Sequence, residues 1–264
     1  MDATTTTAGF FNEPEDFYPP TPPPTSQTYT LQSGETITLH LVGHSPLEAH
    51  HLWNGSRIIS KYFETHVSEV RHRTVLELGA GAGLPSIVCA ILGARRTVVT
   101  DFPDPDLVTN MKKNILGCHL LPASDPDLRD SPIVADGYVW GADPAHLIAH
   151  LEPVGTDRFD LLILADLLFR HSEHGHILDS VETTMSRKQD SRAFVFFTSY
   201  RPWLQHKDLA FFDLARERGF IVDKILEEKM EKALFENDPG DEDVRKTVTG
   251  FTLRWPEAKC LQSA

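Results

Sequence analysis

The sequence predicts an α/β domain in which a mostly parallel sheet is covered by helices on both faces. From residue 74 onward, short β-branched runs alternate with longer amphipathic segments, which is the rhythm of βαβ units. The first of these runs enters a glycine cluster, in TVLELGAGAGLPSI. The last two runs, FIVDKILEEK and VRKTVTGFTLRW, have no helix-length segment between them. The sheet should therefore close with an antiparallel hairpin.

The N-terminal extension is predicted to form a hairpin followed by a helix. TYTLQSGETITLHLVG alternates apolar and polar residues on both sides of Ser33-Gly34, a pattern typical of a hairpin. SPLEAHHLWNGSRIISKYFETH begins with a cap-like Ser45 and Pro46 and carries apolar residues at helical spacing. These features predict one helix over residues 45–66, with a bend near Asn54-Gly55.

The core is predicted to be a Rossmann-like sheet of seven strands, in which five strands separated by helices precede the two of the closing hairpin. The strands are TVLELG, RTVVTD, SPIVADGYVW, FDLLILAD and RAFVFFTSY, and helices should start near Leu84, Asp106, Asp143 and His174. A further helix is predicted over WLQHKDLAFFDLARERG, and KALFENDPGDED should form the acidic, mobile tip of the closing hairpin.

The length of 264 residues fits one domain with an N-terminal extension. We expect residues 1–26 to be a flexible or docked tail and 27–264 a single domain, with 27–72 as the extension and 73–256 as the core. The N-terminus lacks the basic and apolar regions of a signal peptide, and the longest apolar run is too short for a membrane span. Three cysteines show no pairing or metal-binding pattern. A cytoplasmic monomer is expected.

The chain is acidic, with 25 Lys plus Arg against 38 Asp plus Glu and a formal net charge of −13. Binding to a nucleic-acid backbone is disfavoured because phosphate contacts need concentrated positive charge. A cationic partner fits this charge, although an acidic surface that only keeps the protein soluble fits it equally well.

The glycine cluster reads E-x-G-x-G-x-G from Glu77 to Gly83. A dinucleotide-binding fingerprint needs a glycine at position 84, where Leu84 stands, and a P-loop needs a Gly-Lys-Ser/Thr that is missing. The pattern resembles the first motif of the seven-β-strand S-adenosylmethionine-dependent methyltransferases. Residues without Cβ let the backbone approach the cofactor. We assign cofactor binding to Glu77, Gly79, Ala80 and Gly81, and a glycine-rich turn of another α/β fold remains the alternative.

Three strand ends add candidate site residues. Asp101 lies 20 residues beyond Gly81, where a carboxylate can accept hydrogen bonds from both ribose hydroxyls. Trp140 offers a flat apolar wall for the adenine, although tryptophan is also common in cores. The small Ala165 can lie against the cofactor, whereas Asp166 can face the transferred methyl or cap the following turn.

A closer resemblance extends from about residue 10 to about residue 255. FNEPEDFYPP, HSPLEAHHLWNGSRIIS, VVTDFPDPDLVTNMKKNI, GYVWG and LADLLFRHSEH are similar to the fungal protein N-terminal and lysine methyltransferases that modify translation elongation factor 1-alpha. The resemblance implies S-adenosylmethionine as donor and methylation of an N-terminal glycine and the adjacent lysine. It also implies that Trp53 contacts the cofactor, whereas the helical pattern alone would make Trp53 a core residue.

One departure from the related lysine methyltransferases concerns their D-x-x-Y motif. Here the stretch is Asp166-Leu167-Leu168-Phe169, so Phe169 can wall an aliphatic channel but cannot donate a hydroxyl hydrogen bond. Asp166 and Phe169 are the predicted catalytic residues. The nearby His171, His174 and His176 lack a metal-binding pattern, and no metal is expected, although one of these histidines could act as a base at the substrate entrance.

Two other functions stay open from the residues. A small-molecule N-methyltransferase would share the glycine motif and Asp101, and a non-catalytic protein could keep the cofactor pocket as a structural element. The first predicts turnover of small amines, and the second predicts cofactor binding without turnover.

Overall fold

The computed structural model describes residues 22–121, 127 and 130–260. Within this part, the strands are β1 (Thr25–Thr30), β2 (Thr36–Leu41), β3 (Thr74–Leu78), β4 (Arg96–Asp101), β5 (Ile133–Gly137), β6 (Leu161–Ala165), β7 (Arg192–Thr198), β8 (Ile221–Lys229) and β9 (Thr247–Arg254). The helices are α1 (Asn54–Thr65), α2 (Leu84–Ile91), α3 (Pro105–Gly117), α4 (Ala145–Ala149), α5 (His174–Thr184), α6 (Gln205–Glu217) and α7 (Glu242–Arg245). Whether the N-terminal tail docks lies outside the described residues.

The main sheet has seven strands in the described part, in the order β5-β4-β3-β6-β7-β9-β8. The first five strands of this order pair in parallel, and β9 runs antiparallel between β7 and β8. The predicted fold class is confirmed. β4 pairs with one edge of β3, and β6, which comes later in the chain, pairs with the other edge. This reversal opens a crevice beyond the carboxyl ends of β3, β4 and β6.

Both faces of the sheet are buried at its centre, which explains why β6, LLILA, is a continuous apolar run rather than an alternating one. On one face, Leu76 and Leu78 share a core with α5 and α6. On the opposite face, Val75 and Ile163 pack with Ile59 of α1. The side chain of Glu77 therefore lies on the α1 and α2 side, because successive strand residues alternate between faces.

The N-terminal hairpin, β1 and β2, covers α2 and α3. Ile37 and Leu39 are fully buried in a cluster with Ile87 and Met111. The turn is where the alternation predicted it, at a left-handed Gly34 with φ +90°. Strand β1 begins at Thr25, two residues inside the segment predicted as a tail.

The helix predicted over residues 45–66 is shorter than expected, because α1 begins only at Asn54. The Trp53 backbone is extended, with φ −67° and ψ 150°, and Glu48 has a left-handed φ of +64°. Ser45 instead accepts a hydrogen bond from the Leu47 N–H, a local turn that competes with helix formation. Residues 45–53 consequently form an irregular segment over the crevice.

No helix in the described ranges is both long enough and apolar enough to cross a membrane.

Candidate active site

A cavity of about 310 Å³ lies beyond the carboxyl ends of β3, β4 and β6. We call it the inner cavity. All ten predicted site residues line it: Trp53, Glu77, Gly79, Ala80, Gly81, Asp101, Trp140, Ala165, Asp166 and Phe169. Their roles toward a ligand remain predictions, but the structure brings them together around one space.

The turn after β3 needs its glycines for two different reasons. Gly79 and Gly81 both have left-handed backbones, with φ +61° and +55°, which other residues adopt at a cost. A Cβ added at Gly79 would lie 2.9 Å from the Trp140 ring and 2.6 Å from Leu167. A Cβ at Gly81 would meet no atom nearer than 3.8 Å. Gly79 thus allows packing within the protein, whereas Gly81 leaves the cavity itself open.

Asp101 holds this turn in place. Its Oδ2 accepts a hydrogen bond from the Gly81 N–H at 2.7 Å, and its Oδ1 accepts one from the Phe102 N–H at 2.7 Å. The side chain lies at the cavity wall with only 8% of the residue exposed, and burial raises its pKa against the lowering effect of these two donors. Each carboxylate oxygen keeps a second lone pair, which is what binding of two ribose hydroxyls requires.

Glu77 caps the helix that follows the glycine turn. Its Oε2 accepts hydrogen bonds from both the backbone N–H and the hydroxyl of Ser86, at 2.9 and 2.5 Å. Ser86 lies in the first turn of α2, where N–H groups lack partners within the helix. Burial is complete and raises the pKa of Glu77 to about 8. Its carboxyl group therefore supports the site from behind the turn.

Asp166 is engaged on both oxygens. Oδ1 accepts from the Thr198 N–H at 2.8 Å and Oδ2 from the Gly55 N–H at 2.5 Å, while the Tyr200 hydroxyl lies 3.5 Å from Oδ2. Burial raises the pKa of Asp166 to about 7. The sequence left open whether Asp166 faces the acceptor or caps the next turn. In the structure its carboxylate caps α1 and ties that helix to the end of β7.

Trp53 is the centre of an aromatic cluster with Phe169, Tyr200 and Phe235. Its ring stacks on Phe169 with centroids 5.4 Å apart and meets Tyr200 and Phe235 edge-on at 5.0 and 5.7 Å. The indole N–H donates to the Glu48 carbonyl at 3.0 Å. All four rings line a second, outer cavity of about 610 Å³, and Trp53 and Phe169 line the inner cavity as well. Trp53 and Phe169, with Glu48 and Arg170, line both spaces and form the partition between them.

Sequence reasoning missed Tyr200, Phe235 and Ser56. Tyr200 follows β7, next to β6 in the sheet, so the rule that ligands bind at strand ends could have found it. Phe235 lies in a segment predicted only as an acidic tip, and no local pattern marks it. Ser56 was hidden within the predicted helix.

The inner cavity also fits the cofactor that the glycine motif predicts. Ser56 is 7% exposed and lines the cavity, yet its hydroxyl has no hydrogen-bond partner among the described residues. A buried hydroxyl without a partner is costly unless a ligand satisfies it. Together with the open space at Gly81 and the carboxylate of Asp101, it matches the polar groups of an amino acid and a ribose.

The three clustered histidines do not converge on one point. His171 pairs with Asp208 at 2.7 Å, His174 with the Leu168 carbonyl at 2.8 Å, and His176 with Glu173 at 3.2 Å. Of the three, only His171 lines the outer cavity.

A different group, Glu48, His50 and His51, has ligand-type atoms within 4.8 Å of one another. The Ser45 N–H donates to Nδ1 of His50 at 3.4 Å, and Nε2 of His50 and Nε2 of His51 lie 3.9 and 3.8 Å from Oε2 of Glu48.

The lysine methyltransferase family profile matches residues 39–218. The chain belongs to this family. The match begins within β2 and covers the glycine turn and the strands that border the crevice. The chain is accordingly a methyltransferase, and the predicted cofactor, S-adenosylmethionine, is confirmed.

Several fungal proteins are similar to this chain over nearly their whole length. The protein N-terminal and lysine N-methyltransferase efm7 of Neurospora crassa is 66% identical over 94% of this chain and 88% of its own length. The proteins of the same name from Gibberella zeae and Schizosaccharomyces pombe are 56% and 41% identical, each over 94% of this chain and 95% of theirs.

Solved structures share the fold at low sequence identity. A SAM-dependent methyltransferase from Streptococcus mutans gives a TM-score of 0.52 at 10% identity, covering 86% of this chain and 55% of that one. TYW2 of P. horikoshii, solved in complex with MeSAdo, gives 0.50 at 15% identity over 87% of this chain and 72% of that one.

Proposed function

We propose that this methyltransferase modifies the N-terminal glycine α-amine of translation elongation factor 1-alpha and the lysine next to it. The relatives' names support a protein acceptor with both kinds of amine. The observation that carries the proposal is the aromatic partition: Trp53 and Phe169 border the cofactor cavity on one side and an open outer cavity on the other. An acceptor entering from outside would meet the donor across these rings.

The inner cavity would hold the methyl donor through groups already in place. Asp101 would accept the ribose hydroxyls, Trp140 would lie against the adenine, and the Ser56 hydroxyl would bind the amino-acid portion. When bound, S-adenosylmethionine supplies a methyl group activated by the positive sulfonium. The main task of the protein is then to align an uncharged amine with that methyl.

The acceptor amine must lose its proton before it can attack. An α-amine has a pKa near ~8 and a lysine near ~10.4, so the lysine needs more help. The aromatic cluster of Trp53, Phe169, Tyr200 and Phe235 would provide it, since desolvation disfavours the ammonium form. Asp166 is a poor candidate for the base, because both of its oxygens already accept backbone hydrogen bonds. We assign Asp166 to positioning α1 and Trp53.

Residues 27–264 would act as one domain, as a monomer in the cytoplasm, with a protein as partner and neither a membrane nor a nucleic acid. The net charge of −13 suits capture of a basic acceptor segment.

The test is site-resolved mass spectrometry of a peptide that begins Gly-Lys, with a free or an acetylated N-terminus, across a pH series. We expect methylation of the free α-amine at lower pH than the lysine, and loss of the first modification on acetylation. Equal lysine methylation of both peptides with none at the free terminus would contradict the N-terminal assignment. Turnover confined to small amines, or cofactor binding without turnover, would favour the two other functions.

A further inference from the structure

We propose that Phe235 sets the width of the passage to the donor and restricts acceptors to amines carried on an unbranched CH2 group. This inference rests on the proposed function and extends it to a residue outside the parallel core. A glycine α-amine and a lysine ε-amine share that chemical feature, because each nitrogen is bonded to a methylene. Every other residue at the N-terminus places a branched carbon next to the amine. One narrow passage would then accept both proposed substrates.

Phe235 braces Trp53 from the side of the outer cavity. Its ring meets Trp53 at 5.7 Å, Tyr200 at 5.5 Å and His51 at 5.0 Å, all edge-on. Trp53 is also stacked on Phe169. The indole thus contacts both phenylalanines, and its N–H donates to the Glu48 carbonyl. Rotation of Trp53 would break these contacts.

The segment that carries Phe235 is itself anchored. The side chain of Arg245, 5% exposed, donates to the Phe235 carbonyl at 2.6 Å. The Asp238 N–H donates to the same carbonyl at 3.2 Å. Gly240 lies so close to Pro202 that a Cβ there would come within 3.0 Å of its ring. Phe235 is therefore presented by a supported backbone and not by a loose loop.

Close packing at such a partition discriminates by size. A pocket that excludes one or two methyl groups typically separates substrates by about 10- to 200-fold. Removing the Phe235 ring would take away one of the rings that contact Trp53 and open space beside it. Acceptors with a branched carbon next to the amine should gain most from that space, whereas the glycine acceptor should gain nothing and lose alignment.

The experiment compares kcat/KM for three peptides that differ only in the first residue, Gly, Ala or Val, with the wild type, Phe235→Ala and Phe235→Tyr. Leu234→Ala is the matched control, since Leu234 is the adjacent apolar residue and lines neither cavity. Turnover of the Gly peptide by the wild type tests the proposed function. The ratio of Gly to Val tests the inference.

We expect the wild type to prefer Gly over Val by about 100-fold, and Phe235→Ala to lower that preference at least about 10-fold. Phe235→Tyr should restore the preference, and Leu234→Ala should leave it unchanged. Cofactor affinity, measured by calorimetry, reports whether each variant is folded, and Phe235→Leu replaces the alanine variant if that protein does not fold. An unchanged ratio in a folded Phe235 variant that binds the cofactor would overturn the inference.

Discussion

The two cavities are built in opposite ways. The floor of the inner cavity comes from one contiguous turn, residues 77–83, closed by Asp101 on the neighbouring strand. The aromatic wall of the outer cavity comes from Trp53, Phe169, Tyr200 and Phe235, whose successive members are 31 to 116 positions apart in the chain. The glycine turn is thus a local structure, whereas the aromatic wall exists only once distant parts of the chain have come together.

The hydrogen bonds of Asp101 and Asp166 show the same difference between local and distant contacts. Asp101 ends β4 and Asp166 directly follows β6, and both accept two backbone hydrogen bonds. The donors to Asp101 come from the turn at the cavity and from its own neighbour. Those to Asp166 come from α1 and β7, which are distant in sequence. Changes at the first site should affect cofactor binding, and changes at the second should affect how the acceptor wall is assembled.

The largest effect on the donor side is expected from Gly81→Val. A β-branched residue at φ +55° is strained, and its side chain would occupy the open cavity. We expect cofactor affinity to fall by about 100-fold or more, corresponding to about 2.7 kcal/mol. Gly155→Val is the control, because Gly155 has φ +67° with open space around it and lines neither cavity. Normal turnover by folded Gly81→Val would mean that the glycine serves only the turn.

Asp101→Ala should have the next largest effect. Loss of a charge-assisted acceptor for the ribose should weaken cofactor binding by about 1.5–3 kcal/mol, with the fold retained. Asp136→Ala removes a comparable acid from β5, where Asp136 pairs with His150 and lines neither cavity. Calorimetry should show weaker cofactor binding for Asp101→Ala only. Equal affinity of Asp101→Ala and wild type would remove Asp101 from the site.

A smaller effect should appear in the pH dependence of stability through Glu77. Its pKa rises from 4.5 to about 8 on folding, so between these pH values the folded protein binds more protons than the unfolded chain. The free energy of unfolding should therefore fall as pH rises through that window. Glu77→Gln keeps an oxygen for Ser86 and removes the proton, and it should flatten the fall by about 1–2 kcal/mol.

Urea unfolding at pH 5, 6.5 and 8 measures the free energy of unfolding of the wild type and the Glu77→Gln variant. Glu257→Gln is the control, because Glu257 is exposed. Parallel pH profiles for Glu77→Gln and the wild type would show that Glu77 is ionised in the folded protein.

The smallest effect should be the response of the acceptor side to salt. If the acidic surface steers a basic peptide, KM for the Gly-Lys peptide should rise about two- to fivefold between 50 and 300 mM salt, since exposed charges are screened beyond about 8 Å at physiological ionic strength. Cofactor affinity should change less, because the inner cavity is mostly buried. If the KM for the peptide does not change with salt, the surface charge serves only to keep the protein soluble.

Prediction from sequence succeeded where structure is local. The glycine spacing and the strand ends at Asp101, Trp140 and Ala165 predicted the lining of the inner cavity, because each parallel strand delivers its last residue to the same edge of the sheet. The fold class followed from the alternation of strands and helices. By contrast, the helix predicted from Ser45 fails, because residues 45–53 take their conformation from contacts over the crevice and not from helical spacing.

The acceptor side could be predicted only in part, for the same physical reason. Trp53 and Phe169 came from a family resemblance, while Phe235 carries no local signal. Its position depends on where β8 and β9 place their connection, and that depends on the antiparallel register of the closed sheet.

A backbone hydrogen bond closes the connection between β8 and β9, since the Met230 N–H donates to the Lys246 carbonyl at 2.8 Å. Residues 231–245 therefore form a closed loop. The entropy of closing such a loop changes only slowly with its length. Insertions or deletions within it would leave the β8–β9 register and the glycine turn undisturbed and would act on the inner cavity only through the contacts of Phe235 with Trp53 and His51. Acceptor choice can thus diverge in this fold, by changes confined to one peripheral segment, while the chemistry of methyl donation stays constant.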